Sequence, residues 1–210
     1  MTSGYGRYVA LLGVLLVVVF SLHTAFSSHK RSSGLKAGEP IPPFAAPLAI
    51  GGPTGEVNVA TQPHEGQAGN RPACLVRGVG ILNICQLYEH RPVVLALFFD
   101  AGSCAGVLDD LQRLAPLYPK VAFAAVAIRE DAGSVRRMVR SKHLTIPVGV
   151  DTDGRLGGLY TMISCPQITF VSPGGALQSA PLLTRAPLAT LRTRIRRLLA
   201  SSQAAAEQAP

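Results

Sequence analysis

The chain has 210 residues, enough for one ordinary domain with an additional segment at each end. Hydrophobic residues make up 48% of it, so a sizeable core is available, and no repeat period of a solenoid or propeller is visible. The net charge is +8, but there is no Trp, aromatics are 6%, and bases and aromatics are not interleaved, which speaks against a nucleic-acid binder.

After a short tail (residues 1–7), the stretch from Tyr8 to Phe26 reads YVALLGVLLVVVFSLHTAF. As a helix rising about 1.5 Å per residue it would reach roughly 28 Å, close to a bilayer core. It shows no polar face before Ser21. The apolar heart, Val9 to Phe20, is also short enough for a cleaved signal peptide, but HTAFSSHK offers no good small-x-small cleavage site. The preferred reading is a transmembrane signal anchor over residues 8–26, with a cleaved signal as the alternative. Arg7 precedes the span, and Lys30, Arg31 and Lys36 follow it, which places the C-terminal side inside the cell. The cysteines argue the opposite. The expectation adopted is a single-pass protein of the cell membrane with an extracytoplasmic domain.

Residues 27–37 are rich in Ser, Gly and Lys and read as a linker. Gly38–Leu48 is Pro-rich and extended. Residues 51–71 hold many Gly, Pro, Gln and Asn and almost nothing to bury, a loop or insertion. Arg91–Phe99 (RPVVLALFF) is a continuous apolar run with β-branched residues, a strand buried on both faces. Ala105–Leu114 places Val107, Leu108, Leu111 and Leu114 at helical spacing. Val121–Ile128 is a second buried strand. Ala132–Lys142 is a basic amphipathic helix, IPVGV a short strand, and DTDGRLGGLY a turn into a short helix. QITFVSPGGAL predicts a strand, a Pro-Gly-Gly turn and the start of a hairpin partner. Leu188–Ala200 is a terminal helix, and residues 201–210 are expected to be a disordered tail. The domain proper is thus 38–200. Alternating strands and helices ending in a hairpin imply an α/β fold with one mixed sheet covered by helices on both faces.

Cys104 falls where the first buried strand gives way to a helix. Unpaired N–H groups and the positive end of the helix dipole favour thiolate there, the nucleophilic form. Cys74 and Cys85 flank LVRGVGILNI and either close a small disulfide loop or serve as small apolar residues. An even number of cysteines behind an export-like segment fits an oxidising compartment. The spacing of cysteines and histidines is wrong for zinc. Asp151-Thr-Asp153-Gly reads as a turn rather than a calcium loop, because the later ligands are missing. Asp109 and Asp110 sit near a helix start and serve its dipole, the alternative being that one of them accepts a proton near Cys104. No Ser/His/Asp arrangement stands out, which weakens a hydrolase reading. Arg192, Arg194, Arg196 and Arg197 form either a solvated helix face or a surface for anionic lipid.

The order of these elements, with GEPIPPF, NICQLYEHRPVVLALFF, PVGVDTDGRLGGLY and CPQITFVSPGGAL in sequence, resembles the thioredoxin-like superfamily. More closely it resembles the membrane-anchored thiol–disulfide oxidoreductases and the alkyl hydroperoxide reductase/thiol-specific antioxidant group. The resemblance implies a three-layer α/β/α domain with Cys104 at the place of the first active-site cysteine. It also implies that Pro166 is a cis residue and that Ser103 and Pro166 shape the substrate site. The chain departs from the family at Val107, which stands where the second cysteine of Cys-x-x-Cys belongs, and at Ala101, where a peroxidase centre would carry Thr. Because the cis-proline loop of that fold lies against the first cysteine, the resemblance brings Cys165 into view as the second thiol, either paired with Cys104 or independent of it. The function implied is thiol–disulfide exchange or antioxidant chemistry through Cys104, with a protein thiol/disulfide or a peroxide as partner and no bound cofactor or metal. The alternative is a binding or scaffold protein that lost catalysis with the second cysteine.

Overall fold

The computed structural model describes residues 11–17, 34–65, 69–99 and 104–207. The chain divides into two units, Met1–Ser33 and Gly34–Pro210. In the first unit residues 11–17 are helical, and the rest of the expected 8–26 span lies outside the described residues. No helix among the described residues is long and apolar enough to cross a membrane.

In the second unit, β1 (Ala45–Pro47) and β2 (Ile81–Asn83) form an antiparallel ribbon, followed by a one-turn helix α1 (Ile84–Tyr88). β3 (Val93–Phe98) leads to α2 (Gly106–Leu114), and β4 (Ala122–Ile128) to α3 (Ala132–Ser141). β5 (Val148–Asp151), the short α4 (Arg155–Leu159), β6 (Gln167–Val171) and α5 (Leu188–Glu207) complete the order. The main sheet runs β5-β4-β3-β6, with β5, β4 and β3 parallel and β6 antiparallel to β3.

All six residues of β3 are buried, as its unbroken apolar run requires of a central strand. Their alternation divides the core. Val94, Ala96 and Phe98 face the side covered by α2, α3 and α5. Val93, Leu95 and Leu97 face the other side, where Phe44, Leu82, Ile84, Leu156 and Tyr160 pack. That second face is covered by the β1–β2 ribbon and two one-turn helices, so the expectation of full helical layers on both faces holds on one side only. The ribbon comes so close to the sheet that a Cβ on Gly149 of β5 would meet Leu82 Cδ2 at 3.0 Å and the Ala46 Cβ at 3.1 Å.

Several boundaries differ from the sequence reading. The domain begins before Gly38, because Leu35 packs on the core and Gly38 N–H donates to Leu177 O. The described residues of the 51–71 segment are irregular as expected, yet they bury Val57 and Ala60 and pair Asn58 with Ala45. The hairpin after β6 turns at Gly174 and Gly175, both with positive φ, but its return arm pairs only through single bridges, Val171 with Leu177 and Ile168 with Leu182. The expected disordered tail is helical as far as Glu207. Its Ala, Gln and Glu residues are good helix formers, so α5 continues past its last buried contact at Leu198.

Candidate functional site

Two structural facts build the site. β3 delivers Phe99 and, after residues 100–103, Cys104 to the start of α2; β6, hydrogen-bonded alongside β3, is entered through Cys165 and Pro166. Neighbouring strands therefore bring two cysteines to one end of the sheet. They form a disulfide with Cα atoms 5.5 Å apart. The Cys165–Pro166 peptide bond is cis, as the resemblance implied. The Phe99 N–H points at both sulfurs, 3.4 Å from Cys104 Sγ and 3.3 Å from Cys165 Sγ. Ser103 and Ala101 lie outside the described residues.

Cys104 opens the first turn of α2, with its carbonyl accepting from Val107 N–H at 3.2 Å. Val107 itself is fully buried in the core with Leu108 and Leu111. The position of the missing second cysteine is thus filled by a packing residue. Further along α2, both carboxylates are held in ion pairs. Asp109 pairs with Lys142 at 3.0 Å. Asp110, almost fully buried, takes a two-point ion pair from Arg185, with Nε at 2.7 Å and Nη2 at 3.1 Å. Arg185 is 75 residues away in sequence and carries no local signal of this role.

Phe99, whose N–H faces the disulfide, also lines a cleft of about 340 Å³ between the ends of β3 and β4 and the Met162–Ile163 segment. Phe99, Ile128, Arg129, Met162 and Ile163 are among its lining residues, and Ile163 is 76% exposed. At the end of β5, Asp151 is fully buried. Its Oδ2 accepts from the backbone N–H of Leu156 at 2.9 Å and of Gly157 at 3.3 Å, anchoring α4. Burial and the neighbouring Asp153 push its carboxyl up to about 6. Asp153 also pairs with Arg155, and this segment is the turn expected. No group of residues suited to hold a metal ion occurs among the described residues.

Cys74 and Cys85 form a second disulfide, with Cα atoms 5.4 Å apart. Its loop is also held by Asn83, whose side-chain amide donates to Ala73 O at 2.9 Å and Val76 O at 2.8 Å, while its Oδ1 caps α1 at Gln86 N–H. The loop joins the ribbon side of the domain and not the cleft.

No family model matches the chain, and no curated protein matches it. Solved structures do resemble it. A protein assigned as a thiol:disulfide interchange protein DsbE from Chlorobium tepidum has a TM-score of 0.59 at 15% identity, covering 79% of this chain and 99% of that one. DsbF of Mycobacterium tuberculosis, solved in mixed oxidised and reduced forms, gives 0.51 at 22%, over 57% of this chain and 89% of its own. The peroxidoxin BcpB of Mycobacterium tuberculosis gives 0.57 at 10%, over 79% and 97%. The strand order, the cysteine beside a cis-proline and these likenesses together identify the chain as a protein of thioredoxin-like fold.

Proposed function

We propose that this protein carries out thiol–disulfide exchange through the Cys104–Cys165 pair, on protein thiols or disulfides. The observation that carries the reading is the placement of that disulfide. It sits at a strand-to-helix junction, against the backbone N–H of Phe99, a residue that together with Arg129 also lines an apolar cleft. A purely structural crosslink gains nothing from such a position, whereas an exchange centre needs a stabilised thiolate and room for a partner. The electron pair of the opened bond ends on a cysteine thiolate, so no bound cofactor is required. The departure from Cys-x-x-Cys is met by Cys165 taking the second position.

The membrane anchor at residues 8–26 belongs to this proposal, with the domain outside the cytoplasm. Two disulfides support that side, since such bonds persist in oxidising compartments. A reporter fused to the C-terminus and active on only one side of the membrane tests it. A second reading, a binding protein without turnover, is favoured by Val107 alone. Reduction of a disulfide-bonded test protein, and consumption of hydrogen peroxide, by the full chain and by its Cys104→Ser and Cys165→Ser variants separate the two. Loss of disulfide reduction in both variants is the expected result. Equal rates in all three would leave only the binding reading, and peroxide consumption lost with Cys104 would assign the site to antioxidant chemistry.

A further inference from the structure

The two sulfurs are not equivalent. Cys104 is only 6% exposed and is a full member of the apolar core, whereas Cys165 is partly exposed and packs against that core from outside. Cys165 also borders the segment that ends in the exposed Ile163. An attacking thiolate must approach along the S–S axis from the far side of the sulfur it strikes, so access decides which bond partner is attacked.

The leaving side is equally uneven. Cys104 stands just before the nine-residue α2, at the positive end of its dipole, which favours negative charge. Arg185 adds to it. Its Nε and Nη2 are both engaged by Asp110, which leaves Nη1 turned to the helix start: a Cβ on Gly106 would be 2.8 Å from that nitrogen. Gly106, two residues after Cys104, has the bare backbone that lets the guanidinium lie there. The same strand of chain is tied to the other cysteine's loop, because the Ser164 hydroxyl donates to Leu183 O. Arg185 thus lies two residues after Leu183, whose carbonyl is bonded by the residue that precedes Cys165.

We propose that a partner thiolate attacks Cys165, and that Cys104 departs as the stabilised thiolate with Arg185 as its positioning residue. This rests on the exchange function proposed above and reverses the roles expected from the sequence, where Cys104 was the attacking nucleophile. The S–S bond breaks, its electron pair goes to Cys104 Sγ, and a mixed disulfide forms between the partner and Cys165. A second partner thiolate then attacks the partner's sulfur in that mixed disulfide. Cys165 is released as thiolate, the partner dithiol becomes a disulfide, and the protein holds two reduced cysteines.

The test uses the full-length oxidised chain with limiting reduced glutathione, quenched with N-ethylmaleimide and mapped without reductant. The expected product carries glutathione on Cys165 and maleimide on Cys104, in about ten-fold excess over the reverse. Since adducts can migrate between the cysteines, the reduced single variants give an independent reading. Cys165 in Cys104→Ser is expected to react with oxidised glutathione about ten times faster than Cys104 in Cys165→Ser. Glutathione mainly on Cys104, with the faster variant reversed, overturns the order of attack and leaves exchange standing. A disulfide that glutathione does not open overturns exchange as well. For Arg185, the charged groups around the helix start among the described residues are Asp110, Arg185 and the Asp109–Lys142 pair. In the Cys165→Ser background, Arg185→Gln is expected to raise the pH midpoint of Cys104 alkylation by about one pH unit. An unchanged midpoint in a folded variant would remove Arg185 from the mechanism.

Discussion

Cys104 and Cys165 lie 61 residues apart along the chain and 5.5 Å apart at their Cα atoms. The antiparallel pairing of β3 with β6 produces this closeness, since one strand ends and the other begins at the same edge of the sheet. The bond closes a large loop that contains β4, α3 and β5, so it constrains the unfolded chain strongly. By loop-closure entropy it contributes about 4 kcal/mol. The oxidised protein is expected to unfold at correspondingly higher guanidinium concentration than the Cys104→Ser variant, and fully reduced wild type to fall below that variant, because it also loses Cys74–Cys85.

The Cys74–Cys85 loop is short, with 11 residues of separation, and its bond contributes about 3 kcal/mol by the same estimate. Cys74→Ala/Cys85→Ala is expected to lose that stability while keeping exchange at Cys104–Cys165. Asn83→Ala leaves the carbonyls of Ala73 and Val76 without their donor and removes the cap of α1, at a cost of about 2 kcal/mol. Denaturant unfolding and an exchange assay on each variant check both statements.

Asp151 sets a pH dependence of stability. Its folded-state carboxyl titrates near 6, above the ordinary value of 3.8. The folded state therefore binds the proton more tightly than the unfolded chain. The resulting stability is fully present below about pH 4 and is lost as pH rises through about 6, with an upper bound of roughly 3 kcal/mol. Asp151→Asn keeps an acceptor for Leu156 N–H and removes the titration. Its unfolding free energy is expected to be flatter than that of wild type between pH 4 and 7.

Gly149 tests the closeness of ribbon and sheet. In Gly149→Ala the added methyl would press on Leu82, on Ala46 and on Val126 at 3.4 Å, all of them buried. Overpacking of this kind costs about 1–3 kcal/mol. A thermal melt of the variant should show a lower midpoint with the exchange activity retained.

How much the sequence revealed depended on whether a signal was local. The all-apolar β3 and β4 and the 3.6-residue spacing of Val135, Met138 and Val139 were legible because burial and periodicity are written in consecutive residues. The Cys104–Cys165 pairing was legible only through the resemblance, and the structure selects it over two independent thiols. For Cys74 and Cys85 the structure likewise selects the disulfide. Val57 and Ala60 were missed because two small apolar residues among Gly, Pro and polar neighbours show no period. The terminal helix was expected to end at Ala200 and in fact continues through AAAE. The Asp110–Arg185 pair could not be read at all, since nothing in one residue's surroundings names a partner 75 positions away.

Equilibration of the full-length chain in glutathione buffers of stepped composition, with each disulfide followed by mass mapping, tests exchange at this site most directly. Cys104–Cys165 is expected to open reversibly in the folded protein while Cys74–Cys85 stays closed. Opening of the two bonds together, or of Cys104–Cys165 only once the protein has unfolded, would contradict it.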